Sequence, residues 1–347
     1  MDKNSLDMNL DLNKNEIINE VNNDEDIYMA SQWQLVWRRF KKHKLAMFAS
    51  VVLIIIYILS IFCGFFSPYD PHNYDKDYMN APPQFINFID DEGIHLRPFV
   101  YGYTKTRDPV SFREKFEFDK NKKYPIRFFI RGDNYKFLGL WETDIHLFGV
   151  EDGKLFILGS DPMGRDLLSR ILYGARISTS IGFVGVFLSF ALGITLGGIS
   201  GYYGGVVDTI IQRGIEFLKS IPDIPLWMGL AAALPADWGV IQVYLSITII
   251  LSLKGWTSMA RQVRSKFMSL REEDFVMSAE LIGASRTRII FQYMLPSFMS
   301  HIIASLTLAI PGMILGETSL SFLGLGIRPP AISWGALLQD AQKIRVI

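Results

Sequence analysis

Two ionisable side chains stand in the most apolar parts of the sequence: Lys254 lies within the run 240–259, and Glu317 directly follows the run 298–316. Charge at membrane depth marks function unless it finds a partner or reaches water. Lys254 is only about a turn and a half from the inner end of its run and is expected to snorkel outward. Asp161, Arg165 and Asp166 crowd together in SDPMGRD. Pro162 and Gly164 make a turn there ahead of an apolar run, so mutual pairing is expected, not catalysis. His43, His72, His95, His146 and His301 show no ligand spacing, and no metal site is expected. The sole cysteine, Cys63, lies in an apolar run and reads as a small buried hydrophobe. No G-x-x-x-x-G-K-[ST] phosphate loop occurs, so ATP used with this chain must be held by another polypeptide. No residue is nominated as catalytic, and no cofactor is assigned to the chain.

The segment with the clearest interaction chemistry is polar, 261–296, and lies between two apolar runs. Glu272, Glu273 and Asp274 open a helical pattern where negative charge suits the helix dipole. Ser278, Ala279 and Ala284 surround Gly283, at which a helix can end and turn. Arg286 and Arg288 then precede Ile289, Ile290 and Phe291, and Leu295-Pro296 leads into the next run. On sequence physics this is equally a solvated loop and a dock for another protein.

The elements that must position this segment are membrane helices. About half of the 347 residues are apolar (49%) and concentrated in runs, while the formal charge is zero, which gives no field for nucleic acid. The expected class is mainly α, a polytopic helical membrane protein with a β-rich insert. Residues 1–30 form an acidic tail without a cleavable signal. The stretch 31–45, with Trp33, Trp37, Arg38, Arg39, Lys41, Lys42 and Lys44, reads as an interfacial helix on the cytoplasmic side, touching membrane lipid. Residues 46–66 are the first span, since a hydrocarbon core takes roughly twenty helical residues. Residues 67–176 carry no spanning run and are expected outside, with strands at 125–130, 135–141, 145–150 and 154–158 and a hairpin turn at 151–153. The core 177–316 contains four further runs: 177–199, 217–234 (broken by Pro222 and Pro225), 240–259 and 298–316. That makes five spans, with 201–219 and 261–296 inside and Ile347 outside. Ser189, Thr195, Ser246 and Thr248 are polar positions on these runs, equally suited to helix packing, and no substrate residue is chosen.

The spacing of Ala279, Gly283, Leu295 and Pro296 resembles the EAA loop of permease subunits in bacterial ABC importers. Counted back from Gly283, the family's glutamate falls at Met277 and its first alanine at Ser278, with Glu280 a helical turn beyond. LGSDPMGRDLLSRILYGARIS (158–178), GYYGGVVD (201–208) and SFLGLGIRPPAISWG (321–335) are similar to segments of the oligopeptide and dipeptide permeases, in the second, C-type transmembrane subunit. The resemblance implies a transport subunit of an ATP-driven peptide importer in the bacterial cytoplasmic membrane. Its partners would be a second homologous permease, two cytoplasmic ATPases carrying ATP and magnesium, and an extracytoplasmic substrate-binding protein. Met277, Ser278, Ala279, Glu280, Gly283, Ala284 and Ser285 would couple to the ATPase, with Leu295 and Pro296 as the loop exit. Nickel chelates, oligosaccharides and peptide antibiotics are alternative cargoes, and a stand-alone secondary transporter is the rival class. The resemblance also implies a last helix beyond 317–347, so truncation is the expectation there.

Overall fold

The computed structural model describes residues 40–90, 93–107 and 114–342, together with Trp37. The acidic tail 1–30, Trp33, Arg38, Arg39, Ile347 and most of the expected interfacial helix 31–45 lie outside the described residues. The chain divides into two compact units, Met1–Ile56 and Tyr57–Ile347. Helix α1 (Lys44–Ile61) carries no charge after its first residue and is apolar on every side. Its 18 residues extend about 27 Å, close to the thickness of a hydrocarbon core.

After α1 comes a short helix, α2 (Cys63–Phe66), followed by five strands: β1 (Asn87–Asp90), β2 (Gly93–Arg107), β3 (Glu114–Pro125), β4 (Arg127–Phe137) and β5 (Trp141–Gly149). β1, β2 and β3 form one antiparallel sheet, and β4 pairs with β5 in another. The hairpin expected at 151–153 does not form. The turn falls instead at Leu138–Leu140, where Leu138 (φ 52°) and Gly139 (φ 75°) both take the left-handed conformation that a tight hairpin demands. Residues 154–158, expected as a strand, run as coil held by Gln84. Its amide donates to the Lys154 and Tyr101 carbonyls, and its carbonyl accepts from Phe156 N–H at 2.7 Å. Leu155 is thereby buried against Val100 and Ile126.

Four helices are long and apolar enough to cross a membrane: α1, α3 (Leu167–Tyr203), α6 (Val240–Leu270) and α9 (Met299–Phe322), among the described residues. The fifth expected span, 217–234, is divided between α4 (Gly205–Ser220) and α5 (Asp223–Ala232). Pro222 separates them, and the ten residues of α5 reach only about 15 Å. α3 begins ten residues before the expected start at 177, because Asp166 caps it by accepting from Ser169 N–H at 2.7 Å. α3 and α6 form the most extensive helix pair. Small residues at 185, 189, 193, 197 and 201 line the α3 face against α6, and a Cβ at Gly193 would lie 2.8 Å from the Trp256 carbonyl oxygen. Close backbone approach of this kind is how membrane helices pack.

Three short elements complete the chain. α7 (Asp274–Leu281) leads to α8, a continuous helical stretch made of Arg286–Arg288, a π-helical Ile289–Met294 and Leu295–Ser297. The wide π turn precedes Pro296, whose missing N–H and bulky ring disfavour an ordinary α turn there. α10 (Trp334–Ala341) lies within 317–347, expected as loop.

Candidate coupling site

α7 is built to expose one face and anchor the other. Val276 and Ala279 are buried with Leu270, Ile289 and Met294 in the main helical core. Leu281 and Ile282, by contrast, are 88% and 87% exposed, an apolar pair at the very tip of the segment. The helix ends in a Schellman turn: Ala284 N–H donates to the Ala279 carbonyl at 3.0 Å and Gly283 N–H to that of Glu280 at 2.9 Å. Gly283 takes φ +83° with nothing within 4 Å of where a Cβ would stand. Ser285 then caps α8, accepting from Arg288 N–H. Helix, turn and helix therefore form a compact protrusion whose tip is apolar.

Two side-chain links tie this protrusion to the long helices. Tyr202, at the end of α3, donates its hydroxyl to Glu280 Oε1 at 2.9 Å. Arg286 stacks its guanidinium over the Tyr203 ring at 5.4 Å. Next to them, Arg264 of α6 holds Asp208 of α4 through both carboxylate oxygens, with Nη2 to Oδ2 at 2.5 Å. Ser200 also donates to Asp208. The Arg264 hydrogen bonds hold the Asp208 carboxyl below its ordinary pKa. α7 is thus tied to α3 directly, and α3 is tied to α6 through the Asp208 corner.

The sequence model of the binding-protein-dependent transport system inner membrane component matches residues 193–347, and that of the N-terminal TM domain of oligopeptide transport permease C matches 31–83. The dipeptide transport system permease protein DppC of Lactococcus lactis is 32% identical over 89% of this chain and 79% of its own length. This chain belongs to the oligopeptide and dipeptide ABC permease family, as a C-type subunit. The glutathione transport system permease protein GsiD of Escherichia coli is 30% identical over 91% of the chain and 80% of that protein. The oligopeptide permease protein OppC of Bacillus subtilis is 27% identical over 89% and 77%. A methionine ABC transporter structure in an inward-facing conformation covers 50% of the chain and 81% of its own, with TM-score 0.41 and 16% identity.

In this multi-pass membrane permease the nominated residues divide. Val276, which the sequence reading passed over, joins Ala279 and Ala284 on the packed side. Met277, Ser278 and Gly283 are exposed, and Glu280 is turned to Tyr202. Leu281 and Ile282 were also missed, although two apolar residues before a glycine in a polar segment were a usable signal. Leu295 and Pro296 sit where α8 gives way to α9.

Asp161, Arg165, Asp166, Lys254 and Glu317 each have a partner. Asp161 accepts from Arg165 Nε at 2.7 Å and Arg170 Nη1 at 2.5 Å, and Arg170 reaches Asp340 at 3.2 Å. Burial pushes the Asp166 carboxyl up to about 6, against the hydrogen bonds from Ser169. Glu317 is fully buried and accepts from Ser178 at 2.8 Å and Ser321 at 2.6 Å, which pins α9 to α3. Lys254 does not snorkel. Its ammonium is mostly buried, bonded to the Ile221 carbonyl and paired with Asp223. Ser189 and Thr248 are buried and bonded to backbone carbonyls, Thr195 is exposed, and Ser246 is half-buried.

Proposed function

We propose that this permease is one half of the membrane channel of an ATP-driven importer of small peptides. It would work with a second homologous permease, two cytoplasmic ATPases that carry ATP and magnesium, and a binding protein outside. The chain would bind no nucleotide itself. The single observation that carries the coupling role is the exposed apolar tip Leu281-Ile282 on a helix whose other face is packed and tied to α3. An ATPase cleft that gripped this tip would exclude its apolar surface from water, at roughly 25 cal/mol per Å². Met277, Ser278, Ala279, Glu280, Gly283, Ala284 and Ser285 make up the gripped segment, with Ala279 serving its inner side.

In this reading the N-terminus and α7 are cytoplasmic, and the strands of 87–149 lie outside. The crossing carried by α5 is completed by the residues on either side of it. Closure of the ATPases on ATP pushes α7, and α3 and α6 tilt as rigid levers between two arrangements. Peptide cargo is supported by the likeness to dipeptide, oligopeptide and glutathione permeases over most of the chain. The test is ATP-dependent accumulation of a radiolabelled di- or tripeptide by vesicles holding the whole complex. Accumulation that needs this chain, ATP and the binding protein is expected. ATP hydrolysis without movement of any peptide would refute the cargo assignment.

A further inference from the structure

A cavity of about 410 Å³ opens among α3, the end of α4, α5, α6 and α9, within the size range of small-ligand sites. Its wall is unusual for a membrane bundle. Lys219, Asp223 and Lys254 all line it, giving two cations against one carboxylate. Lys254 is fixed by Asp223 and the Ile221 carbonyl. Lys219 makes no hydrogen bond or ion pair among the described residues, and no other acid lines the cavity. Trp227, also in the wall, has its indole N–H buried without an acceptor. Ser258 adds a hydroxyl.

In this set the cationic donors outnumber the single carboxylate. Lys219 is exposed at the end of α4 and Lys254 is mostly buried, so the two ammonium groups leave this wall with a net positive charge. That net charge suits a ligand that brings a compact negative charge with two acceptor oxygens. An ammonium group would meet only Asp223, whose charge Lys254 already engages.

We propose that this cavity receives the C-terminal carboxylate of the transported peptide, held by Lys254 and Lys219, with Asp223 as the counter-ion that Lys254 keeps when the cavity is empty. The proposal rests on the peptide-importer reading and names the part of the cargo that the permease itself contacts. Every unblocked linear peptide ends in this carboxylate, so cargo of varied sequence can share the contact.

The test is thiol protection in the nucleotide-free complex carrying Ser258→Cys, since the native Cys63 is buried. Tri-alanine at millimolar concentration is expected to slow alkylation of the new cysteine several-fold, and tri-alanine amide to leave it unchanged. Lys254→Gln and Lys219→Gln, made separately so that one assembly failure does not end the experiment, should each raise the protecting concentration about tenfold or more. Lys254→Arg should retain protection. Equal protection by acid and amide, protection that survives both glutamine variants, or no protection by the acid would each overturn the proposal. Uptake of the same peptide by the unmodified complex is scored separately. Uptake without protection refutes the carboxylate site alone, and no uptake refutes the importer reading beneath it.

Discussion

Replacing Gly283 by valine tests the coupling turn with little interference from packing. The residue sits at φ +83° and a Cβ there would touch nothing within 4 Å, so the penalty is confined to the backbone. The left-handed conformation costs an L-residue roughly 1–2 kcal/mol, and a β-branched side chain is among the worst suited to it. That is a factor of about 5–30 in the population of the intact turn. What is lost with the turn are the two bonds that close α7, from Ala284 to Ala279 and from Gly283 to Glu280. The buried face, Val276 and Ala279, stays in place, so the complex should assemble and resist heat almost as before. The assay is the ratio of peptide accumulated to ATP hydrolysed in vesicles. Glycine and asparagine should be close, because asparagine tolerates this conformation, alanine lower and valine lowest. Valine transport equal to wild type, with an unchanged ratio, would refute a rigid turn as the transmitting element.

The same framework makes three further predictions. Asp208 has a lowered folded pKa, so its pairing with Arg264 stabilises the fold above the unfolded carboxylate value of about 3.9 and is lost as pH falls through the lower folded value; Asp208→Asn should flatten that acid limb in thermal unfolding of the solubilised complex. Asp166 behaves oppositely: with its pKa raised from 3.8 to about 6, its contribution is greatest below 3.8 and declines as pH rises through about 6, and Asp166→Asn, which can still cap α3, should remove the decline in the same measurement. Glu317→Leu strands the buried hydroxyls of Ser178 and Ser321 and should cost about 1–3 kcal/mol of stability, read as a lowered melting temperature, with Glu317→Gln milder.

The long helices were legible because apolar runs of spanning length have few other uses, and Pro222 announced the break between α4 and α5. Local signals also placed Gly283, whose conformation few other residues accept. What sequence could not supply were partnerships across long separations. Tyr202 and Glu280 are 78 positions apart, and Ser178 and Glu317 are 139 apart. Lys254 was misjudged for the same reason: its distance from the helix end was readable, whereas the approach of Asp223 depends on how α5 folds back. The strands β2 and β3 were missed because their charged and aromatic residues alternate without a continuous apolar face, and their pairing, as in Tyr103 with Phe118, is non-local. Residues 154–158 have strand composition, yet Gln84 supplies the hydrogen bonds that a neighbouring strand would otherwise provide.

The central claim is that the tip of α7 is where an ATPase grips this permease. Ile282→Cys places a thiol on a residue that is 87% exposed, in a chain whose sole natural cysteine is buried. Cross-linking this thiol to the ATPase subunits in native membranes should yield one adduct, with a yield that changes when ATP is added and returns when it is hydrolysed. Efficient labelling of the cysteine by a small water-soluble reagent in the assembled complex, with no ATPase adduct in any nucleotide state, would contradict the account.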